Sequence, residues 1–371
     1  MRTLLLGLCV PAFALAMGLD AAKAETKLTY ASQVPSTHIL HTRGMQPMYQ
    51  EVTKATNGSL IFEEFPGGTM GDAKSMMAIV RDGIVDSALV VYVYYKRDLP
   101  ISYLITELGL LGGNNMAMAG ASAETHLLDC PPCQEEHKKN NFKALAYYAS
   151  APYTLMCTKP VSSLQNLSGL KVRAIGPWAI WLKTAGAVPV SVPSSEVYEA
   201  LQRGQADCTI GSAAWLKEYN LQDVITNVVD LQVGVYHGAL VYPMNIERWG
   251  SLSVDERGAI LKAMPGLTRR MVMAYREEDE AALKAALARG VKLDAPSQDL
   301  LQSYDKQRHA EIERVSAAAK ADNVQNVDAS LQAFFDNVEK WNKIVADING
   351  DPDKFEQALW TEIYSKIDVG K

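Results

Sequence analysis

Twice along this chain, short β-prone runs are followed by helical patterns that stop at a glycine. A chain written that way has to build open α/β sheets. In the first half, residues 27–31 alternate as a strand, and a loop over 34–41 leads to a helix over 42–56. That helix stops at Asn57-Gly58, a pair suited to the left-handed conformation past a helix end. A second strand over 59–65 closes at Pro66-Gly67-Gly68, Asp72 caps a helix ending at Asp82-Gly83, and 86–91 reads as a third, apolar strand. The second half restarts the pattern with strands over 143–148, 153–157, 170–174, 188–192 and 207–210. Ile175-Gly176-Pro177 opens one intervening helix, and Ser194-Ser195 caps another over 196–203. The alternation predicts parallel sheets joined by right-handed crossovers. Two α/β units, each too small to be the whole, predict two lobes around a cleft, with 238–244 as a strand returning between them. From Ser253 the pattern is helical, with a capping box at Ser253 and Glu256 and a long helix over 268–289 that ends at Gly290.

The N-terminus reads as a secretory signal. Arg2 precedes an apolar run over 4–16, and Ala22-Lys23-Ala24 supplies small residues before Glu25. That run is shorter than the roughly 20 residues a span requires, so the expectation is an exported, periplasmic protein cleaved after Ala24 with no direct membrane insertion. A net charge of -6 argues against nucleic acid and anionic membrane surfaces. Cys9 would leave with the signal, so Cys130, Cys133, Cys157 and Cys208 remain. An even count in an oxidising compartment points to two disulfides with three connectivities, of which Cys130–Cys133 and Cys157–Cys208 are favoured. The Cys130-Pro-Pro-Cys133 run also fits a redox pair or half a zinc site, with His126 and His137 nearby.

No GxSxG, HExxH, P-loop or GxGxxG motif occurs, and no metal, cofactor or catalytic group is expected. The sharper feature is Leu167-Ser-Gly-Leu-Lys-Val-Arg-Ala-Ile-Gly176. Here Leu170 and Val172 take one face of a strand, and Lys171 and Arg173 the other. Arg173 sits at the carboxyl end just before a Gly-Pro turn, where open α/β sheets place ligands. A guanidinium there matches the fork of a carboxylate, and it reads as a cleft arginine rather than a core one.

Residues 166–207 resemble the signature region of the TRAP transporter solute receptors of the DctP type. The resemblance rests on Leu-Ser-Gly-Leu-Lys-Val-Arg over 167–173, Ala-Gly-Ala-Val-Pro-Val over 185–190, and Pro-Ser-Ser-Glu-Val-Tyr-Glu-Ala-Leu-Gln-Arg-Gly-Gln-Ala-Asp over 193–207. Thr56-Asn-Gly-Ser59, Phe65-Pro-Gly-Gly-Thr-Met-Gly71, Asp82-Gly-Ile-Val-Asp86 and Trp249-Gly-Ser-Leu-Ser253 are similar as well. The resemblance implies an α/β, two-lobed periplasmic binding protein fold with a central cleft, hinge strands and a long bracing helix. It implies a salt bridge from Arg173 to a carboxylate, and a membrane permease of small and large subunits as partner. Many relatives carry a second arginine where this chain has Pro152 and Tyr153, and a Gly-x-Glu-Asn run where it has Cys208-Thr-Ile-Gly211. These departures turn the expectation from a dicarboxylate or sialic-acid grip toward a monocarboxylate with a ring or apolar remainder.

The expected site is therefore Arg173 with Trp178, Trp215, Tyr236 and His237 on the second lobe, facing Gln33, His38 and Tyr92 on the first. Lobe I is expected over 25–150 and about 237–285. Lobe II is expected over 151–236, with the helices of about 286–371 as its bracing segment. A small amine held by cation–π contacts is the alternative ligand. The alternative functions are a binding protein for another transporter or a sensor, or a periplasmic CPPC oxidoreductase.

Overall fold

The computed structural model describes residues 25–370; the signal-like segment 1–24 lies outside the described residues. The first sheet has five strands in the order Leu60–Phe65, Thr26–Ala31, Ser87–Ala88, Pro243–Asn245 and Phe142–Ala144. The second has six, in the order Lys292–Asp294, Asn227–Val229, Thr154–Cys157, Cys208–Gly211, Lys171–Arg173 and Val188–Val190. Strand and helix thus alternate as the pattern requires, but neither sheet is purely parallel. Pro243–Asn245 runs antiparallel to both its neighbours, and so does Thr154–Cys157. Both are strands that the chain reaches directly from the other lobe, so they enter their sheets from the opposite end to the strands fed by local crossovers.

Between the two lobes lies a third sheet of three short strands: Val90–Val91, Ala239–Leu240 and Tyr147–Tyr148. The chain passes from lobe I to lobe II just after Tyr148 and comes back just before Ala239, so this sheet holds the two crossings side by side. The expected single strand over 238–244 is broken because Val241 and Tyr242 both direct their N–H at the Ala146 carbonyl, which forms a bulge. Leu89 similarly divides the expected strand 86–91 between two sheets.

The bracing helix, Val254–Ala288, is longer than its sequence pattern predicted. Ser253 and Glu256 form the capping box, with the Ser253 N–H donating to Glu256 Oε2 at 2.9 Å, and the helix continues through Pro265. It packs against Gln46–Ala55 and Asn115–Glu124 of lobe I and against Trp215–Glu218 of lobe II. At the lobe II end Asp279 accepts from the Ala214 N–H at 2.8 Å and from the Ser212 hydroxyl. Burial pushes the Asp279 carboxyl up to about 6 even though these donors pull the other way.

The last two long helices do not sit with lobe II, which corrects the expected boundary. Val327–Asp347 packs on Asn115–Glu124, where the Trp341 indole donates to Glu124 Oε2 at 2.7 Å. Gly120 is required there, because a Cβ would come within 2.2 Å of the Trp341 ring. Pro352–Glu362 packs on the bracing helix. The physical reason is the apolar face of Val327–Asp347, with Leu331, Phe334, Trp341 and Val345 buried, which finds its counterpart on the small-residue helix of lobe I.

Both favoured disulfides are present. Cys157 and Cys208 are directly paired across antiparallel strands and bond at 2.11 Å. Cys130 and Cys133 bond at 2.00 Å in the first turn of Pro131–Lys139. The two close very different loops, with sequence separations of 51 and 3. Loop-closure entropy therefore predicts that alanine at both Cys157 and Cys208 costs about 4 kcal/mol, against about 2 kcal/mol for the Cys130/Cys133 pair. Denaturant unfolding of the two variants in parallel checks this, and equal losses would refute it.

Candidate ligand-binding site

The loop after Thr26–Ala31, the hinge strands, the carboxyl ends of the lobe II strands and the bracing helix converge on one small cavity, with about 40 Å³ for water centres. Lobe I contributes Gln33, Val34, His38 and Tyr94. The hinge contributes Tyr148, Ser150, Tyr153 and Tyr236, and lobe II contributes Arg173, Ser194, Trp215 and Tyr219. Tyr275 reaches in from the bracing helix. A larger, open groove of about 1240 Å³ lies elsewhere, between Lys96–Tyr103 and Asn323–Ser330. None of the fully buried, unpartnered side-chain atoms belongs to its lining, so chemistry points to the smaller cavity.

Arg173 ends its strand as expected, yet it is fully buried. Its Nε donates to the Val192 carbonyl at 2.9 Å, and Nη1 lies 3.5 Å from the Ile210 carbonyl. The guanidinium carbon stands 5.4 Å from the centre of the Trp215 ring. Nη2 has no hydrogen-bond partner, and among the described residues no carboxylate pairs with Arg173. A guanidinium out of water with an idle donor is costly unless an anion meets it. Two backbone carbonyls aim the group, so it is also part of the lobe's framework, which corrects its reading as a residue outside the core. Trp215 can lie flat beside it because Gly211 at the end of the next strand has no side chain; a Cβ there would come within 2.3 Å of the ring.

His38 is in the wall, with one nitrogen hydrogen-bonded to the backbone and the other within ion-pair distance of a carboxylate. Nδ1 accepts the Leu40 N–H at 3.0 Å, which leaves the ring proton on Nε2, 3.1 Å from Glu218 Oε2. Glu218 Oε1 also accepts the Ile39 N–H at 3.2 Å. Lobe II thus grips lobe I through one buried carboxylate, beside the cavity.

Three expected residues lie outside the wall. Tyr92 points into the core of lobe I, its hydroxyl bonded to Tyr147 at 2.7 Å and His137 at 2.8 Å. The 3₁₀ turn Tyr92–Tyr94 turns Tyr94 to the cavity in its place. His237 bonds Ser122 at 2.8 Å and stacks on Phe334, and burial pushes its imidazole down to about 3. Its neighbour Tyr236 lines the cavity, so the two adjacent side chains point to different surroundings. Trp178 forms a second layer, its ring 4.8 Å from Tyr153 and its N–H donated to the Val233 carbonyl. Sequence reasoning missed Tyr94, Tyr148, Tyr153, Tyr219 and Tyr275. Tyr219 follows Trp215 by one helical turn and was findable on that spacing; Tyr275 on a distant helix carried no local signal.

A cleft closed between two sheet-based lobes, with a buried cation in an aromatic wall and a helix bridging both, defines the class of two-lobed solute receptors. Residues 30–317 match the family model described as bacterial extracellular solute-binding protein, family 7, and the chain belongs to that family, the solute receptors of TRAP transporters. A TRAP periplasmic solute-binding protein from Bordetella bronchiseptica with bound (R)- and (S)-mandelate is 26% identical. It superposes with a TM-score of 0.73 over 85% of this chain and 99% of that one. A marine metagenome TRAP protein specific for aromatic acids, holding 3-hydroxybenzoate, shares the fold at 21% identity, with a TM-score of 0.76 over 86% and 99% of the two chains. Among curated relatives, a solute-binding protein of Albidiferax ferrireducens is 25% identical over 238 residues, 64% of this chain and 66% of that protein.

Proposed function

We propose that this protein is the periplasmic receptor of a TRAP-type transporter, exported by its first 24 residues, that captures a small ring-bearing monocarboxylate and delivers it to the membrane permease. The observation that carries the reading is the unpartnered Nη2 of Arg173 inside an aromatic-walled cavity between the lobes. The wall holds one cation and no second, so a second carboxylate on the ligand would be buried without a partner. The same guanidinium opposes the amine alternative, since a cationic ligand would meet it in a confined space. One charge-assisted hydrogen bond is worth roughly 1.5–3 kcal/mol, and micromolar affinity takes about -8 kcal/mol. Packing against Trp215, Tyr153 and Tyr236 therefore has to provide most of the affinity. A ligand touching both lobes prefers the closed form by its differential contacts and shifts the population toward it. The relatives that hold mandelate and 3-hydroxybenzoate support an aromatic acid as the ligand class. Against the CPPC oxidoreductase reading, Cys130 and Cys133 are both fully buried, which denies a partner thiol access.

Calorimetric titration with benzoate, mandelate, pyroglutamate, succinate and phenethylamine tests the proposal. A cyclic or aromatic monocarboxylate is expected to bind at least tenfold more tightly than succinate, with no heat from the amine. Tighter binding of succinate or the amine would overturn it.

A further inference from the structure

Most polar groups of the cavity wall are already satisfied by the protein. The Ser150 hydroxyl donates to the Ala151 carbonyl at 2.8 Å and accepts the Tyr236 N–H at 3.2 Å. The Tyr236 hydroxyl donates to the Gly238 carbonyl at 3.1 Å, and His38 Nδ1 accepts the Leu40 N–H. Two wall atoms are fully buried and have no partner: Arg173 Nη2 and Gln33 Oε1. They are opposite in sense, one a cationic donor and the other a neutral acceptor, and they come from opposite lobes. Gln33 stands two residues past the strand Thr26–Ala31, is 4% exposed, and has an apolar neighbour, Val34, in the wall.

We infer that Gln33 is a specificity-determining residue that selects, among carboxylates, those carrying a hydrogen-bond donor away from the carboxylate, namely a hydroxyl or an N–H. This rests on the site reading above and narrows it. A buried acceptor left unmatched is penalised for every ligand that lacks the donor, whereas a matching donor recovers that loss. Sites built this way discriminate far more strongly by a missing polar group than apolar pockets do by a missing methylene. A donor that reaches Gln33 while the carboxylate holds Arg173 also ties lobe I to lobe II. The preferred ligand then stabilises closure as well as filling the cavity.

The test compares paired probes by calorimetry: 3-hydroxybenzoate against 3-fluorobenzoate, and 3-hydroxyphenylacetate against phenylacetate. In the unaltered protein the hydroxylated member of at least one pair is expected to bind about tenfold or more tightly than its partner. In Gln33→Leu that ratio falls toward one, with the affinity for 3-fluorobenzoate kept or improved. Gln33→Met repeats the measurement should the leucine variant melt early. A ratio near one in both pairs in the unaltered protein, or a ratio unchanged by both substitutions, overturns the inference while leaving the carboxylate reading intact. Failure of all four acids to bind overturns both.

Discussion

Arg173→Ala is expected to lose about 2–5 kcal/mol of carboxylate binding, roughly thirty- to several thousand-fold in Kd. The size follows from asymmetry: the ligand's carboxylate would still be desolvated within the wall that includes Trp215 and Ser194 but would meet no cation. Arg173→Lys keeps the charge and loses the fork, and it also loses the Nε contact to Val192 that aims the group. It should retain part of the affinity, with a loss of tenfold or more. Both variants should unfold at slightly lower denaturant, by about 1 kcal/mol, because the Val192 carbonyl loses its donor. Calorimetry with the best-binding acid, beside denaturant unfolding, separates the two effects. Unchanged affinity in Arg173→Ala would make the residue purely structural and misplace the site.

Glu218→Ala should weaken binding of every ligand by a common factor. Glu218 is not itself in the cavity wall, but its carboxylate accepts the Ile39 N–H and faces His38 Nε2 across the lobes. Without it the buried Ile39 N–H stays unsatisfied, at about 1–3 kcal/mol, and His38 loses the carboxylate that faces it; the penalty falls on the closed form, where lobe II meets these groups. A smaller closed population raises the apparent Kd in proportion. Small-angle scattering of the acid-saturated variant should show a larger radius of gyration than the unaltered protein. Glu218→Gln, which keeps an oxygen for the Ile39 N–H, should recover part of the loss. Equal affinities in all three proteins would refute a latch. The pattern also differs from that expected at Gln33, where only the ratio between ligands moves.

Much of this is legible in the sequence alone. The strand–glycine–helix punctuation located six strands within a residue or two, because turn chemistry is local: Asn57, Gly67 and Gly83 all take positive φ where the pattern demanded a stop. It ran 86–91, 143–148 and 238–244 together as single strands and missed Asn227–Val229 and Lys292–Asp294, which carry no such punctuation. The signature placed Arg173 at a strand end for the same reason. The disulfides were partly legible, since two prolines leave Cys130 and Cys133 few alternatives.

The errors share a different cause. Tyr92 and Tyr94 are two residues apart with similar neighbours, and only the 3₁₀ turn against the hinge decides which one meets the cavity. His237 is one residue from the wall residue Tyr236, yet it is turned away, toward Ser122 and Phe334. The antiparallel direction of Thr154–Cys157 and Pro243–Asn245 depends on where the chain crosses between lobes. So does the choice of Asn115–Glu124 as the seat for Val327–Asp347. The sequence by itself determined the elements, the two-sheet class and the cation, because these rest on turn geometry, side-chain period and a contiguous signature. Which aromatics surround that cation, and which carboxylate latches the lobes over it, only the tertiary structure decided. Those contacts join residues as far apart as His38 and Glu218, and their partners are set by packing rather than by neighbours in the chain.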